Sequence, residues 1–173
     1  MFKAIKNILS PKLPEQILLD PEFNKKGLIL KKNIETIFGK SLAVRVVDTG
    51  SDNSPEIELV NLTTPYYDIE RFGITFVASP RHADILACTG AVTLNMKIAL
   101  EKTFEATPNP KFVIAIGDDA CDGGIFKNSY GVLGGIDKVL PVDLKIPGNP
   151  PKPIEILQGF IELMELIKSK TKM

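Results

Sequence analysis

From residue 42 onward, strand-like and helix-like segments alternate along the chain. This alternation is typical of a parallel β-sheet covered by helices on both faces. We predict strands at residues 42–47, 73–77, 84–88, 111–116 and 138–144. A helical face with the members Val92, Met96, Ala99, Leu100 and Phe104 separates the third and fourth strands. A last helix is predicted to begin at Pro153, because proline suits the first turn of a helix.

The first forty residues do not follow this pattern. One helical face there is apolar, with the members Phe2, Ile5, Ile8 and Leu9, and the segment must end before Pro11. We expect residues 13–40 to form at most one weak helix and to add little to the core. The chain is therefore divided into an N-terminal docking arm, residues 1–40, and an α/β domain, residues 41–173.

Charge and cysteine content exclude several classes of protein. The 21 basic and 21 acidic side chains give a net charge of zero, so the chain has no global positive field for nucleic acid. It has no run of about 20 apolar residues that could span a bilayer, and no signal-peptide core fits before Pro11, so we expect a cytoplasmic protein. Cys88 and Cys121 match neither a disulfide framework nor a metal-binding spacing, and we expect two buried or half-buried free thiols.

Loops that follow the strands are the expected place for a site, because open parallel sheets bind ligands at the carboxyl ends of their strands. Three such loops, residues 48–56, 117–124 and 146–153, are rich in turn residues. A fourth, residues 78–84, contains the single histidine, His82. Brought together at one edge of the sheet, the first three loops would form a pocket.

Several short motifs occur in one order between residues 42 and 167. They are Pro-Tyr-Tyr-Asp-Ile-Glu-Arg-Phe-Gly-Ile (65–74), Ser-Pro-Arg-His-Ala-Asp (79–84), Thr-Gly-Ala-Val-Thr (89–93), Ile-Gly (116–117), Gly-Gly-Ile-Phe (123–126), Val-Asp (142–143), Ile-Pro-Gly (146–148) and Pro-Pro (150–151). Together they resemble the electron-transfer small subunit shared by respiratory complex I, where it is the 20 kDa subunit, and membrane-bound energy-converting nickel-iron hydrogenases of the formate hydrogenlyase type. The pattern and the resemblance together predict a flavodoxin-like α/β fold, a parallel sheet with helices on both faces.

The resemblance implies one four-iron, four-sulfur cluster on four cysteine thiolates, which passes electrons to or from a large subunit. The family places two ligands in a Cys-Asn-Gly-Cys stretch, one after the Ile-Gly of the second loop and one inside Pro-Gly-Cys-Pro-Pro. In this chain the four positions read Asp52, Pro55, Asp119 and Asn149. Because iron-sulfur clusters depend on thiolates, with occasional histidine replacement, we expect no cluster, no other cofactor and no catalytic residue.

We therefore expect a cluster-less structural subunit of a membrane-associated, hydrogenase-like or complex I-like oxidoreductase assembly. Its expected partners are a large catalytic subunit and membrane-arm subunits, which would hold it on the inner face of the cell membrane. Glu56, Arg71, Arg81 and His82 are expected at the partner interface, the arginines as partners of carboxylates. A role in capping the following helix is the simpler interpretation of Glu56.

Three alternatives stay open. The chain could be a genuine electron-transfer subunit whose cluster has unusual ligands or partner cysteines. It could hold a hard metal ion on Asp52, Asp119 and Asn149, with His82 as a further donor, although turn geometry alone explains such residues. It could also be a stand-alone flavin-binding module whose phosphate lies at residues 49–53, although Asp52 would repel a phosphate.

Overall fold

The computed structural model describes residues 20–171 of the chain. In chain order the helices and strands are α1 (Pro21–Phe38), β1 (Leu42–Asp48), α2 (Ser54–Leu62), β2 (Ile74–Phe76), β3 (Ile85–Thr89), β4 (Val92–Thr93), α3 (Lys97–Ala106), β5 (Phe112–Ile116), α4 (Asp118–Asp122), β6 (Val132–Gly134), β7 (Leu144–Ile146) and α5 (Pro153–Thr171). Short 3-10 helices lie at Ile69–Phe72, Pro80–His82, Gly124–Phe126 and Ile136–Lys138. The predicted amphipathic segment at residues 2–9 lies outside the described residues.

The main sheet has five parallel strands in the order β2-β1-β3-β5-β7. Counted within this sheet, the order is 2-1-3-4-5, which is that of flavodoxin-like folds. A separate antiparallel pair joins β4 to β6. The prediction of a flavodoxin-like parallel α/β fold is therefore confirmed.

Two apolar layers cover the sheet because successive side chains of a strand point to opposite faces. On one face α1, α2 and α5 pack against strand residues that include Val44, Ile85, Ala87, Ile114 and Ile116. On the other face α3 and α4 pack against strand residues that include Val47, Leu86, Cys88, Val113 and Ala115. Helices on both faces are what the continuous apolar runs of β3 and β5 require.

The helix α1 is longer and more buried than the sequence suggested. Asp20 caps it by accepting hydrogen bonds from the backbone N–H groups of Glu22 and Phe23, and Pro21 occupies the first turn. Its buried residues are Phe23, Gly27, Leu30 and Ile34. The expectation that this stretch adds little to the core is wrong, because Pro21 starts the helix instead of interrupting one. The boundary of the docking arm at residue 40 stays a prediction.

Two other predicted elements differ from the structure. The last strand is β7 and not residues 138–144. The Asp143 N–H donates to the Val113 carbonyl of β5, and the Asp143 carboxylate accepts from the Val113 N–H. These two hydrogen bonds set the point at which pairing with β5 begins. The helix before β5 begins at Lys97 instead of Val92, because β4 pairs with β6. The last helix begins at Pro153, as predicted.

Two leucines of α1 test whether this helix belongs to the cooperative core. Leu30 is 0% exposed and Leu28 is 58% exposed. We expect Leu30→Ala to lower the free energy of unfolding by about 2–5 kcal/mol, because it leaves a cavity. The matched Leu28→Ala variant should stay within about 0.5 kcal/mol of wild type. Urea denaturation measures both, and equal effects would mean that α1 unfolds apart from the sheet.

Candidate functional site

Three loops meet at the carboxyl edge of the sheet. The loops after β5 and β7 are joined by two hydrogen bonds: Asp118 N–H donates to the Gly148 carbonyl at 2.9 Å, and Gly148 N–H donates to Asp118 Oδ1 at 2.8 Å. The loop after β1 meets them through Pro55, which lies close to Gly117. A Cβ atom added to Gly117 would be only 3.0 Å from Pro55 Cγ. The predicted convergence of these loops is therefore present.

Thr49 fixes the first of these loops from within. Its hydroxyl group lies 2.9 Å from the carbonyl oxygens of both Thr89 and Gly90, and its own carbonyl accepts from the Thr93 N–H at 3.0 Å. The side chain is fully buried. Sequence reasoning treated Thr49 only as a possible phosphate ligand and missed this structural role, for which a polar residue directly after a buried strand was the available signal.

Asp52 lies just before α2, whose N-cap residue is Asn53. Its Oδ1 accepts hydrogen bonds from the Ser54 hydroxyl at 2.6 Å and the Ser54 N–H at 2.9 Å, which lowers the pKa of Asp52. The Ser54 hydroxyl also lies 3.4 Å from Asn149 Oδ1. Because Asp52 already occupies the Ser54 N–H, a phosphate would have to displace a carboxylate to bind at the start of α2. The geometry therefore disfavours a flavin phosphate at this position.

Asp119 is buried at the centre of the converging loops. Burial raises the pKa of Asp119, and the negative charges of Asp52, Asp118 and Asp122 raise it further, while a hydrogen bond from the Ile125 N–H acts in the opposite direction. The carboxyl group of Asp119 fits there because residue 124 is a glycine. A Cβ atom on Gly124 would overlap Asp119 Oδ1. An acid held among acids in this way favours the protonated form.

A cavity of about 510 Å³ opens beside Asp119. Its lining consists of Asp118, Asp119, Cys121, Asp122, Gly124, Ile125, Pro147 and Asn149. Within residues 20–171, no three side chains of the types His, Cys, Asp and Glu are grouped so that they could hold a metal ion. This arrangement gives the hard-metal alternative no support.

The side chains at the four positions where the resemblance places ligands do not fit an iron-sulfur cluster. Two carboxylates and one amide are hard oxygen donors, and Pro55 has no donor at all. The thiol of Cys121 points to the Ala115 carbonyl at 3.7 Å, and burial raises its pKa to about 11. Cys88 is fully buried in β3, which raises its pKa to about 12. The prediction of two buried free thiols is confirmed, and neither thiol is a thiolate at neutral pH.

Residues predicted at the partner interface lie at opposite ends of the sheet. Glu56 belongs to the first turn of α2, near the carboxyl edge, where its Oε2 accepts a hydrogen bond from the Ser51 hydroxyl at 2.7 Å. Arg71 comes just before β2 and lies 4.6 Å from the centre of the Phe72 ring. The structure therefore keeps Arg71 at the amino edge, away from Asp119.

Arg81 and His82 are exposed in the 3-10 helix that precedes β3, so they also lie toward the amino edge. Neither Arg71 nor Arg81 forms an ion pair with any of residues 20–171. His82 therefore does not join Asp52, Asp119 and Asn149, with which it was considered as a metal ligand. Whether these residues contact a partner stays a prediction.

A parallel sheet of this strand order, with converging loops after β1, β5 and β7, defines a flavodoxin-like protein with one loop site at the carboxyl edge. Residues 53–163 match the sequence model of a family described as "NADH ubiquinone oxidoreductase, 20 Kd subunit". The chain belongs to this family.

Several relatives are named as components of redox enzymes, two of which are called membrane-bound. Formate hydrogenlyase subunit 7 of Escherichia coli is 40% identical over 168 residues, which are 95% of this chain and 64% of that protein. The "Probable membrane-bound hydrogenase subunit mbhJ" of Pyrococcus furiosus is 42% identical over 152 residues, 86% of this chain and 91% of that protein. A chain of the membrane-bound sulfane sulfur reductase, an archaeal respiratory membrane complex, superposes with a TM-score of 0.68 at 34% identity, covering 82% of this chain and 76% of that one.

Asp119 predicts an unusual dependence of stability on pH. Its raised pKa means that folding becomes less favourable as pH rises from the ordinary aspartate range, about pH 4, through the folded-state pKa. We expect Asp119→Asn to be more stable than wild type at pH 7, with the difference shrinking toward pH 4. The pKa of Asp122 is lowered by the Gly124 N–H and Lys127, so Asp122→Asn should lose stability at pH 7 and not at low pH. Urea denaturation across this pH range measures how each variant changes the free energy of unfolding. A change of the same sign in both variants at pH 7 would contradict the raised pKa of Asp119.

The two cysteines predict slow thiol chemistry. Because both pKa values are raised by burial, we expect the native protein to react slowly with a disulfide reagent at pH 8 and to release two equivalents after unfolding in denaturant. Cys121 should react before Cys88, since it lines the cavity. Cys121→Ser and Cys88→Ser assign the two phases, and rapid reaction of native Cys121 would show an accessible thiolate that could act as a ligand.

Proposed function

We propose that this chain is a cluster-less structural subunit of a hydrogenase-like or complex I-like assembly that docks a large catalytic subunit without carrying electrons. One observation carries the proposal. The positions 52, 55, 119 and 149 lie in loops that converge, yet their side chains offer no thiolate. A chain with this site can keep the shape of the family while lacking its electron relay.

Glycines support the idea that the shape of the site is kept. Gly117, Gly123, Gly124 and Gly148 all have positive φ angles in the loops around Asp119. At Gly148 an added Cβ would come within 2.6 Å of the Pro151 backbone, so this turn requires glycine. These glycines therefore set the backbone around the site through their own conformation.

An apolar rim beside the cavity supports a docking role. Ile125 is 83% exposed and lines the cavity, and Tyr130 is fully exposed nearby in the segment that leads into β6. Leu94 is also exposed, and its N–H donates to the Gly131 carbonyl, which ties it to the same segment. Exposed apolar patches of this kind are typical of protein–protein contacts. The relatives named above are themselves subunits, which makes a large catalytic subunit and membrane-arm subunits the natural partners.

Metal analysis tests the absence of a cluster. We expect protein produced and purified without oxygen to contain far less than one equivalent of iron and sulfide, because no thiolate faces the loops. The matched control is a variant with Asp52→Cys, Pro55→Cys, Asp119→Cys and Asn149→Cys together, which should gain iron and a brown colour. A brown wild-type chain with stoichiometric iron would support the alternative of a genuine electron-transfer subunit and refute this proposal.

Recovery of partners from native membranes tests the docking role. We expect the tagged full chain to copurify with a large subunit of the hydrogenase or complex I type. Ile125→Asp should lower that recovery about tenfold or more, as truncations at interface centres do. The control Leu166→Asp, at an exposed apolar residue toward the end of α5, should not lower it. Recovery of no such large subunit would contradict the proposal whatever the iron content.

A further inference from the structure

The outer face of α1 combines large apolar side chains with lysines. Leu28 is 58% exposed and Ile29 is 47% exposed. Lys25 and Lys32 are exposed as well and lie three or four residues from them, so all four belong to one side of the helix. The opposite side of α1 packs into the core, which leaves this face without a partner among residues 20–171.

The charge on this face is locally positive although the chain as a whole is neutral. The helix carries four lysines and two glutamates, and Lys26 is paired with Glu22 at 3.1 Å. Lys25, Lys31 and Lys32 have no ion pair with any described residue, against the single unpaired acid Glu35. A negatively charged surface would therefore meet several unpaired lysines along the length of α1.

The helix α3 provides an internal contrast. Its Ile98 is 60% exposed, so it also shows an apolar side chain to solvent. Its lysines, Lys97 and Lys102, are balanced by Glu101 and Glu105, and Lys97 lies 3.9 Å from Glu101. Exposure of an apolar residue is thus common to both helices, and the excess of unpaired lysines is specific to α1.

We propose that the outer face of α1 binds the surface of an anionic lipid bilayer. Lys25 and Lys32 contact lipid headgroups while Leu28 and Ile29 enter the boundary between headgroups and acyl chains, as interfacial helices do. The contact is confined to the surface, since none of the helices in residues 20–171 is both long and apolar enough to cross a membrane. The inference rests on the proposed function in placing the chain at a membrane, and it adds that this chain itself touches lipid.

A single tryptophan tests the predicted depth of insertion. The chain contains no tryptophan, so Leu28→Trp introduces the only indole fluorescence. With the full chain and phosphatidylcholine vesicles that contain phosphatidylglycerol, we expect a blue shift of emission and quenching by brominated acyl chains. The matched control Ile98→Trp on α3 should show neither change. Equal behaviour of the two variants, or no shift for Leu28→Trp, would overturn the proposal.

Sedimentation with vesicles tests the charge. Each lysine near an anionic surface contributes about 1 kcal/mol, so Lys25→Gln with Lys32→Gln should weaken the partition coefficient about thirtyfold. Lys97→Gln with Lys102→Gln should leave it unchanged. Binding should fall when salt is raised from about 0.1 M to 1 M, and it should be weak on pure phosphatidylcholine.

Wild-type affinity for both lysine double variants, or binding to poly-glutamate but not to vesicles, would overturn the assignment to lipid. The second of these results would assign the face to an acidic protein instead. Because these experiments use the isolated chain, their failure is distinct from a failure to recover a large subunit from membranes.

Discussion

Parallel pairing of β1, β3, β5 and β7 is the constraint on which the rest of the structure depends, because it brings the loops that follow these strands to one edge. The reciprocal bonds between Asp118 and Gly148 then hold two of the loops together without any metal. The third loop is held by the buried hydroxyl of Thr49. The shape of the site therefore follows from strand pairing and from hydrogen bonds that the loop backbones make with each other and with Asp118 and Thr49.

Two residues at the positions where the resemblance places cluster ligands have ordinary structural roles in that frame. Asp52 and Pro55 both lie at the start of α2: Asp52 accepts hydrogen bonds from Ser54, and Pro55 suits the first turn. Asp119 is different, because a carboxyl group buried among other acids costs stability unless it is protonated. Asp52 and Pro55 thus suit the start of α2, whereas ionising Asp119 destabilises the fold.

The sequence was sufficient to predict a helix-covered parallel sheet and the convergence of the loops, since both follow from apolar runs and from the rule for parallel sheets, whereas the flavodoxin-like class also rested on the family resemblance. It was not sufficient to predict the length and burial of α1. The signal for the start of this helix was the capping residue Asp20 before Pro21, within a lysine-rich stretch. It also placed the last strand too early, because the apolar run at residues 139–140 resembles a strand and only the contact of Asp143 with Val113 shows where pairing begins. Burial of Asp119 depends on three loops at once and has no local signal.

The motifs that carry the family resemblance do not all bear on function. In the Ser-Pro-Arg-His-Ala-Asp motif, Asp84 accepts a hydrogen bond from the Ala43 N–H at 2.9 Å and pairs with Lys40, which fixes where β1 and β3 begin. Ala83 of the same motif is buried. These residues explain why the motif suits the fold, and they lie at the amino edge, away from Asp119. The presence of such motifs is therefore evidence for the architecture, whereas the question of electron transfer depends on the carboxyl edge, where the positions that the resemblance assigns to ligands hold no thiolate.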